Sequence, residues 1–376
     1  MHWQVLTHSA WMRALNFWLF PLMLGLVAVI FAEGTPRQMP VAVVDADASV
    51  ESRALIRHLD ASPALDVKWR YSSMKEAKEA LRTGEVFAVV AIATDFQEGL
   101  RRGLSPEVVV FYNSQYLLAG KLASSALREA AAVYSAKSGA MLRIAYGQEA
   151  LSAVAQAAAV RPQMTPLFNP AMSYSHFLGT AIAPALWQLF VVMASLLALN
   201  WRWQQGPLPQ QRIGLVKEVI YTLGPMAFTM MIQAGLMLLA FVMLLGWQPV
   251  GHVGWILLGL LLMLLAIQAI ALLLMVVIQD VVRALSISAA YLAPAFAFMG
   301  VTFPRHDMPA LGQFWANLMP STHYMAVQIA VADQGALGVH VLGALGALMV
   351  FGLLALAALW RLNQQSQQEE TSHDTV

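Results

Sequence analysis

One apolar segment near the start, a polar stretch from about residue 36 to 170, and five further apolar segments limit this chain to an integral membrane protein with one large domain outside the bilayer. A helical crossing needs about 20 largely apolar residues. Residues 14–32 and 177–201 carry no charge, and the other candidates are 219–246, 254–279, 284–304 and 338–360, so six crossings are predicted.

The charges follow the same division. Only 11% of the 376 residues are charged, against roughly 25% in soluble domains. Residues 37–170 nevertheless hold 15 of the 22 Lys/Arg and 13 of the 21 Asp/Glu. That stretch has the composition of a nearly neutral soluble domain, and the remainder faces lipid. A net charge of +1 offers no concentrated basic face for nucleic acid. Without cysteine there is neither a disulfide nor a thiolate metal site.

Sidedness comes from the short connections. Arg13, Arg202, Arg212, Lys217, Arg283 and Arg361 fall on one side and only Arg305 on the other. Lys and Arg mark the cytoplasmic side, so both termini are predicted there. The predicted order is a cytoplasmic interfacial helix (1–13), a first transmembrane helix (14–34) and a periplasmic α/β domain with a long helical return (35–170). Transmembrane helices 2–6 (171–362) and a polar cytoplasmic tail (363–376) complete it. The first apolar run exceeds a signal-peptide core and its basic flank is only Arg13, which predicts an uncleaved anchor.

Within the outer domain, strands are predicted at 40–45, 65–70, 86–93 and 107–113, with helices at 49–61, 73–84 and near 94–103 between them. The alternation implies a small mixed or parallel sheet covered by helices. An Ala-rich helical tract over 116–159 leads back to the membrane. No GxGxxG and no GxxxxGK[ST] is present, so neither phosphate-cradling loop is available. Asp45 and Asp47 are read as cap and turn residues rather than cation ligands.

Polar groups at membrane depth are functional candidates because each costs free energy in lipid. Only Gln188, Gln233 and Gln268 lie deep in predicted crossings, and hydrogen bonds between helices are their expected role. This scarcity argues against ion-coupled transport. Pro184, Pro225 and Pro294 should interrupt or kink helices, most sharply at Gly224–Pro225. The inner connection 202–218 opens with a Pro/Gly breaker and resumes with Ile213, Val216 and Ile220 on one face and Arg212, Lys217 and Glu218 wet. It is read either as a lead-in to the third crossing or as a docking helix for a cytoplasmic partner. Segment 303–338, too polar to cross and too apolar for water, is predicted to form re-entrant or interfacial short helices. His306, Asp307 and His323 lack a further ligand or nucleophile at defined spacing, so no metal or catalytic site is expected.

That same segment carries a resemblance. Phe303, Pro304, Met308, Pro309, Trp315, Pro320, Thr322, His323 and Tyr324 match the pattern FP…MP…W…P.THY, which resembles the closing signature of ABC-2 type ABC transporter permeases. The runs from Val41 to Leu55 and from Val108 to Tyr116 resemble the subgroup with a large extracytoplasmic domain after the first transmembrane helix. The resemblance implies an exporter permease of drug-like, lipidic or other amphipathic substrates, not itself an enzyme. It also implies a second permease copy or close homologue and a cytoplasmic ABC ATPase that binds ATP and Mg. A periplasmic adaptor with an outer-membrane channel, and lipid in a bacterial inner membrane, complete the implied surroundings. The ATPase contact would fall on Arg212, Ile213, Val216, Lys217 and Glu218. The contrasting reading is a membrane-anchored receptor or scaffold, for which one or two crossings would suffice.

Overall fold

A computed structural model describes residues 2–32, 37–104, 106–113, 117–157, 173–209, 211–336 and 338–373. They divide into two compact units, one of residues 1–34 and 166–376, the other of residues 35–165.

The first unit contains six helices long and apolar enough to cross a membrane: Ala10–Ile30, Ser175–Trp203, Arg212–Met243, Val253–Ile278, Val281–Phe298 and Val341–Gln365. Charged residues within them lie only near the ends that the Lys/Arg bias assigns to the cytoplasm, at Arg13, Arg202, Arg212, Lys217, Glu218, Arg283 and Arg361. The second and fourth spans are the most buried along their lengths, and in the fourth Met263, Leu264, Ile267 and Ala271 are inaccessible. A short 3-10 turn, His2–Leu6, precedes the first span and buries Val5 and Leu6, while His8 stacks on Trp201.

Two boundaries differ from expectation for one reason. The third span starts at Arg212 rather than near 219, so RIGLVKEVI forms its opening turns instead of a separate helix. The connection from the second span reduces to residues 204–211, and a Cβ on Gly214 would lie 2.7 Å from Cβ of Pro209. A missing side chain thus lets the Pro-containing loop fold against the helix it leads into. The sharpest break also lies elsewhere. Pro184 and Pro225 sit inside unbroken helices, whereas the fifth span stops at Leu292 and restarts at Ala295, around Pro294.

The second unit is the insert between the first and second spans. Its strands are β1 (Met39–Asp45), β2 (Leu65–Tyr71), β3 (Ala88–Ile92) and β4 (Val108–Tyr112), in the order β2-β1-β3-β4. β1 pairs parallel with β2 and β3, and β3 pairs antiparallel with β4. The helices are α1 (Val50–Asp60), α2 (Met74–Thr83), α3 (Phe96–Arg101), α4 (Leu117–Ala145) and α5 (Ala150–Ala157). Crossovers through α1 and α2 produce the parallel pairs. One sheet face packs on α1, α3 and α4 through Val41, Val43, Leu55, Leu59 and Leu127, and the other on α2 through Ala42, Ala77 and Val89.

Local chemistry explains the helix ends. Ser49 and Ser52 form a reciprocal capping box at α1, and α2 stops at Gly84, which takes the left-handed conformation (φ 79°) open to glycine. Asp45 accepts from the amides of Asp47 and Ala48 and from the Ser52 hydroxyl, and Asp47 accepts from the Gln97 amide, so both carboxylates hold turns. Tyr134 on α4 donates to Glu51 on α1, and burial pushes its hydroxyl up to about 12. The expected tract 116–159 divides into α4 and α5 at Gly147 (φ 86°); its ends and the return as far as residue 172 lie outside the described residues.

Candidate functional site

Three places in the membrane unit gather the residues singled out by the sequence. The first is the cytoplasmic start of the third span. Arg212, Ile213, Val216, Lys217 and Ile220 share its outer face, with Ile213 71% and Val216 40% exposed. Leu215 and Thr222 face inward. Glu218 is turned inward too, where it pairs with Arg202 at the end of the second span; both are largely buried. That ion pair ties the start of the third span to the end of the second, and Glu218 is not on the open face with the other four candidates.

The second place is the bundle interior, where side-chain amides meet interrupted helices. A proline at position i cannot donate to the carbonyl at i−4. Pro184 thus frees the Thr180 carbonyl, and Gln328 donates to it at 3.1 Å. Gln233 donates at 3.0 Å to the carbonyls of both Leu15 and Asn16, in a π-helical turn (Ala14–Trp18) shortly before Pro21. Gln188 reaches the Leu292 carbonyl at 3.3 Å, where the fifth span breaks before Pro294. Gln268 reaches the Leu223 carbonyl at 3.2 Å, two residues before Pro225. In lipid no water can satisfy a freed carbonyl, so Gln328 lets Pro184 occupy a buried helix, whereas Gln233, Gln268 and Gln188 bond carbonyls other than those four residues before Pro21, Pro225 and Pro294.

Gln328 was not among the residues singled out, nor were Asn16 and Thr229, which bond each other at 2.9 Å between the first and third spans. Gln328 lies four residues after Tyr324, and that helical spacing was the available signal.

The third place is the signature segment. Its helices are α6 (Ala310–Leu318) and α7 (Pro320–Gln328), followed by a π turn, Ile329–Asp333. Pro304 precedes a 3-10 turn, Pro309 precedes α6, and Pro320 is the first residue of α7, where its missing N–H has no helical partner to lose. α6 is largely exposed, as is Phe303, but Trp315 packs edge-on against Tyr291 at 5.9 Å and Met308 is buried. α7 is buried on nearly all sides. Tyr324 donates to Gln328 at 2.7 Å, fixing the amide that serves Pro184, and Gly259 of the fourth span leaves room for its ring. His323 bonds the Asn317 carbonyl at 2.8 Å, and burial holds its pKa down, so it is a neutral clasp between α6 and α7. Among the described residues, the buried hydroxyls of Ser321 and Thr322 have no hydrogen-bond partner. His306 and Asp307 are exposed and 3.5 Å apart, and no group of three metal-ligating side chains occurs among the described residues.

Asp333 ends the π turn, and burial pushes its carboxyl up to about 6 against the opposing influence of His176. A raised carboxylate pKa means that ionisation costs the folded state, so stability falls as pH rises from about 4 through about 6. Asp333→Asn should therefore raise the melting temperature in detergent at pH 8, by about 1 kcal/mol of stability after allowance for partial exposure. The gain should vanish near pH 4; an equal gain at both pH values would contradict this account.

A cleft of about 430 Å³ opens between the third, fourth and sixth spans. Its walls are apolar, including Leu223, Ala227, Leu265 and Met349, with the Gln268 amide among them.

No curated protein gives a significant match to the chain. Residues 13–361 match the family model described as ABC-2 family transporter protein. With its large extracytoplasmic domain between the first two spans, the chain thus belongs to the ABC-2 transporter family, as a multi-pass permease that is not itself an enzyme.

Proposed function

We propose that this chain is the permease subunit of an ATP-driven exporter in a bacterial inner membrane, with the insert in the periplasm. A drug-like, lipidic or other amphipathic substrate leaves the cytoplasm or the inner leaflet through it. A cytoplasmic ABC ATPase holding ATP and Mg supplies the energy, and a second copy or close homologue completes the pathway. A periplasmic adaptor and outer-membrane channel extend it where export crosses both membranes.

The observation that carries this reading is the exposed cytoplasmic start of the third span, where the charges of Arg212 and Lys217 stand beside the apolar Ile213 and Val216. The described spans keep their charges at the cytoplasmic ends and offer no ionisable group at mid-depth for coupling to protons or sodium. Energy must then come from a partner, and this face is both wet enough and apolar enough to hold one. The apolar cleft with a single amide suits a chain-like or amphipathic cargo.

Co-expression with an ABC ATPase tests the proposal. The two should co-purify in gentle detergent, and hydrolysis in reconstituted vesicles should rise with amphipathic compounds or lipids. A chain that stays fully stable alone, binds no ATPase and still binds a ligand through its insert would favour the receptor or scaffold reading.

A further inference from the structure

The sheet of the insert ends in two unlike edges. β2 carries Asp66, Lys68 and Arg70, the kind of charges with which natural sheets block edge-to-edge pairing. β4 reads VVVFY, five strong strand formers with neither charge nor proline. Its inner side is occupied: the Asn113 amide donates to the Phe87 carbonyl, and Ala88 lies opposite Tyr112. In that register Phe111 and Val109 bond to β3, and the N–H and C=O groups of Val108, Val110 and Tyr112 point away from the sheet. No described residue takes them up. Val109 is 39% and Tyr112 47% exposed. Among the described residues the edge is uncovered, and the strand carries no charge and no proline.

We infer that the β4 edges of two copies of this chain pair antiparallel, joining their extracytoplasmic domains through one continuous sheet. The inference rests on the proposal that two copies act together. Two copies in one membrane, related by a two-fold axis along its normal, present any shared edge lying across that axis in antiparallel sense. Centred on Val110, the pairing sets Val110 opposite itself and Val108 opposite Tyr112, so each outward N–H meets an outward C=O. Self-pairing also places every charge near its own copy, where like charges repel. β4 has none to place, whereas β2 centred the same way would set Lys68 against Lys68. The open edge is therefore self-complementary, and the charged one is not.

Natural absence of cysteine makes the test direct. Across the proposed axis Val109 and Phe111 form a non-hydrogen-bonded pair with Cα atoms about 4.5 Å apart, within disulfide reach. Full-length copies with two different tags, one Val109→Cys and the other Phe111→Cys, are co-expressed and oxidised mildly in membranes. A mixed-tag disulfide dimer is expected, and none from Lys68→Cys copies. Val110→Pro in both copies removes an outward N–H, which an edge strand tolerates, together with a side chain partly packed on the core, and should cut cross-linking at least tenfold with the insert still protease-resistant. Val108→Pro, at the first residue of the strand, serves if Val110→Pro unfolds the insert. Pull-down of one tag by the other reports association separately. Association without the 109–111 cross-link, a cross-link to a different protein, or a cross-link indifferent to both prolines would overturn the β4 contact alone. Absence of any association would overturn the two-copy reading together with it.

Discussion

Replacing Ile213 and Val216 together by Asp should abolish co-purification of the ATPase while leaving the permease inserted and folded. Both side chains stand on the open face of the third span's first turns and are exposed. Burial of an Ile and a Val against a partner contributes about 1.5–3 kcal/mol each. Losing both, and desolvating two carboxylates as well, weakens association by more than about 3 kcal/mol, over a hundredfold in Kd. Insertion should survive, because the apolar length of the span lies beyond this segment and acidic residues near a helix N-terminus favour the helix dipole. Charge reversal of Arg212 or Lys217 alone should be mild, since an exposed ion pair contributes about 0.2–1 kcal/mol. Glu218→Gln should instead lower the stability of the permease, because its partner is Arg202 within the same chain. Full ATPase binding and export by the double Asp variant would leave this face as an interfacial lead-in and nothing more.

The contrast between Lys217 and Glu218 shows where sequence reasoning stops. Which helices are long and apolar enough to cross is a local property, and all six spans were legible from composition. So were the strands of the insert, because each apolar run is bounded by caps or glycine such as Ser49 and Gly84. Lys217 and Glu218 are adjacent in sequence, and only the position of Arg202, sixteen residues away, decides that Glu218 turns inward. The kinks were illegible for the same reason. A proline's effect depends on whether a donor arrives from elsewhere in the fold: Pro184 is served by Gln328, whereas the fifth span opens at Pro294 although Gln188 caps its broken end. Of the signature, the residue types pointed to the family. Their work, which is to seat α7 and orient one amide, needed the three-dimensional neighbours of Tyr324.

If the Gln328 amide is what accommodates Pro184, Gln328→Leu should destabilise the protein strongly, and Pro184→Ala should recover much of the loss. The single substitution leaves two buried groups unpaired, the Thr180 carbonyl and the Tyr324 hydroxyl. Buried groups of this kind cost about 1–3 kcal/mol each in soluble proteins, whereas interhelical hydrogen bonds in membranes average about 0.6 kcal/mol. A loss of about 2 kcal/mol on unfolding in mixed micelles is the expected size. Alanine at position 184 restores the backbone N–H that a helix directs at the Thr180 carbonyl, so it repairs one of the two defects and leaves the other. The two substitutions should therefore be coupled by at least about 0.5 kcal/mol, the level that separates interacting from independent sites. Tyr324→Phe should cost less than Gln328→Leu and should be indifferent to Pro184→Ala, because it strands only the Gln328 oxygen. Equal cost of Gln328→Leu with proline or alanine at 184 would show that the amide does not serve the proline. α7 would then be held by its apolar contacts, Tyr324 against Gly259 above all.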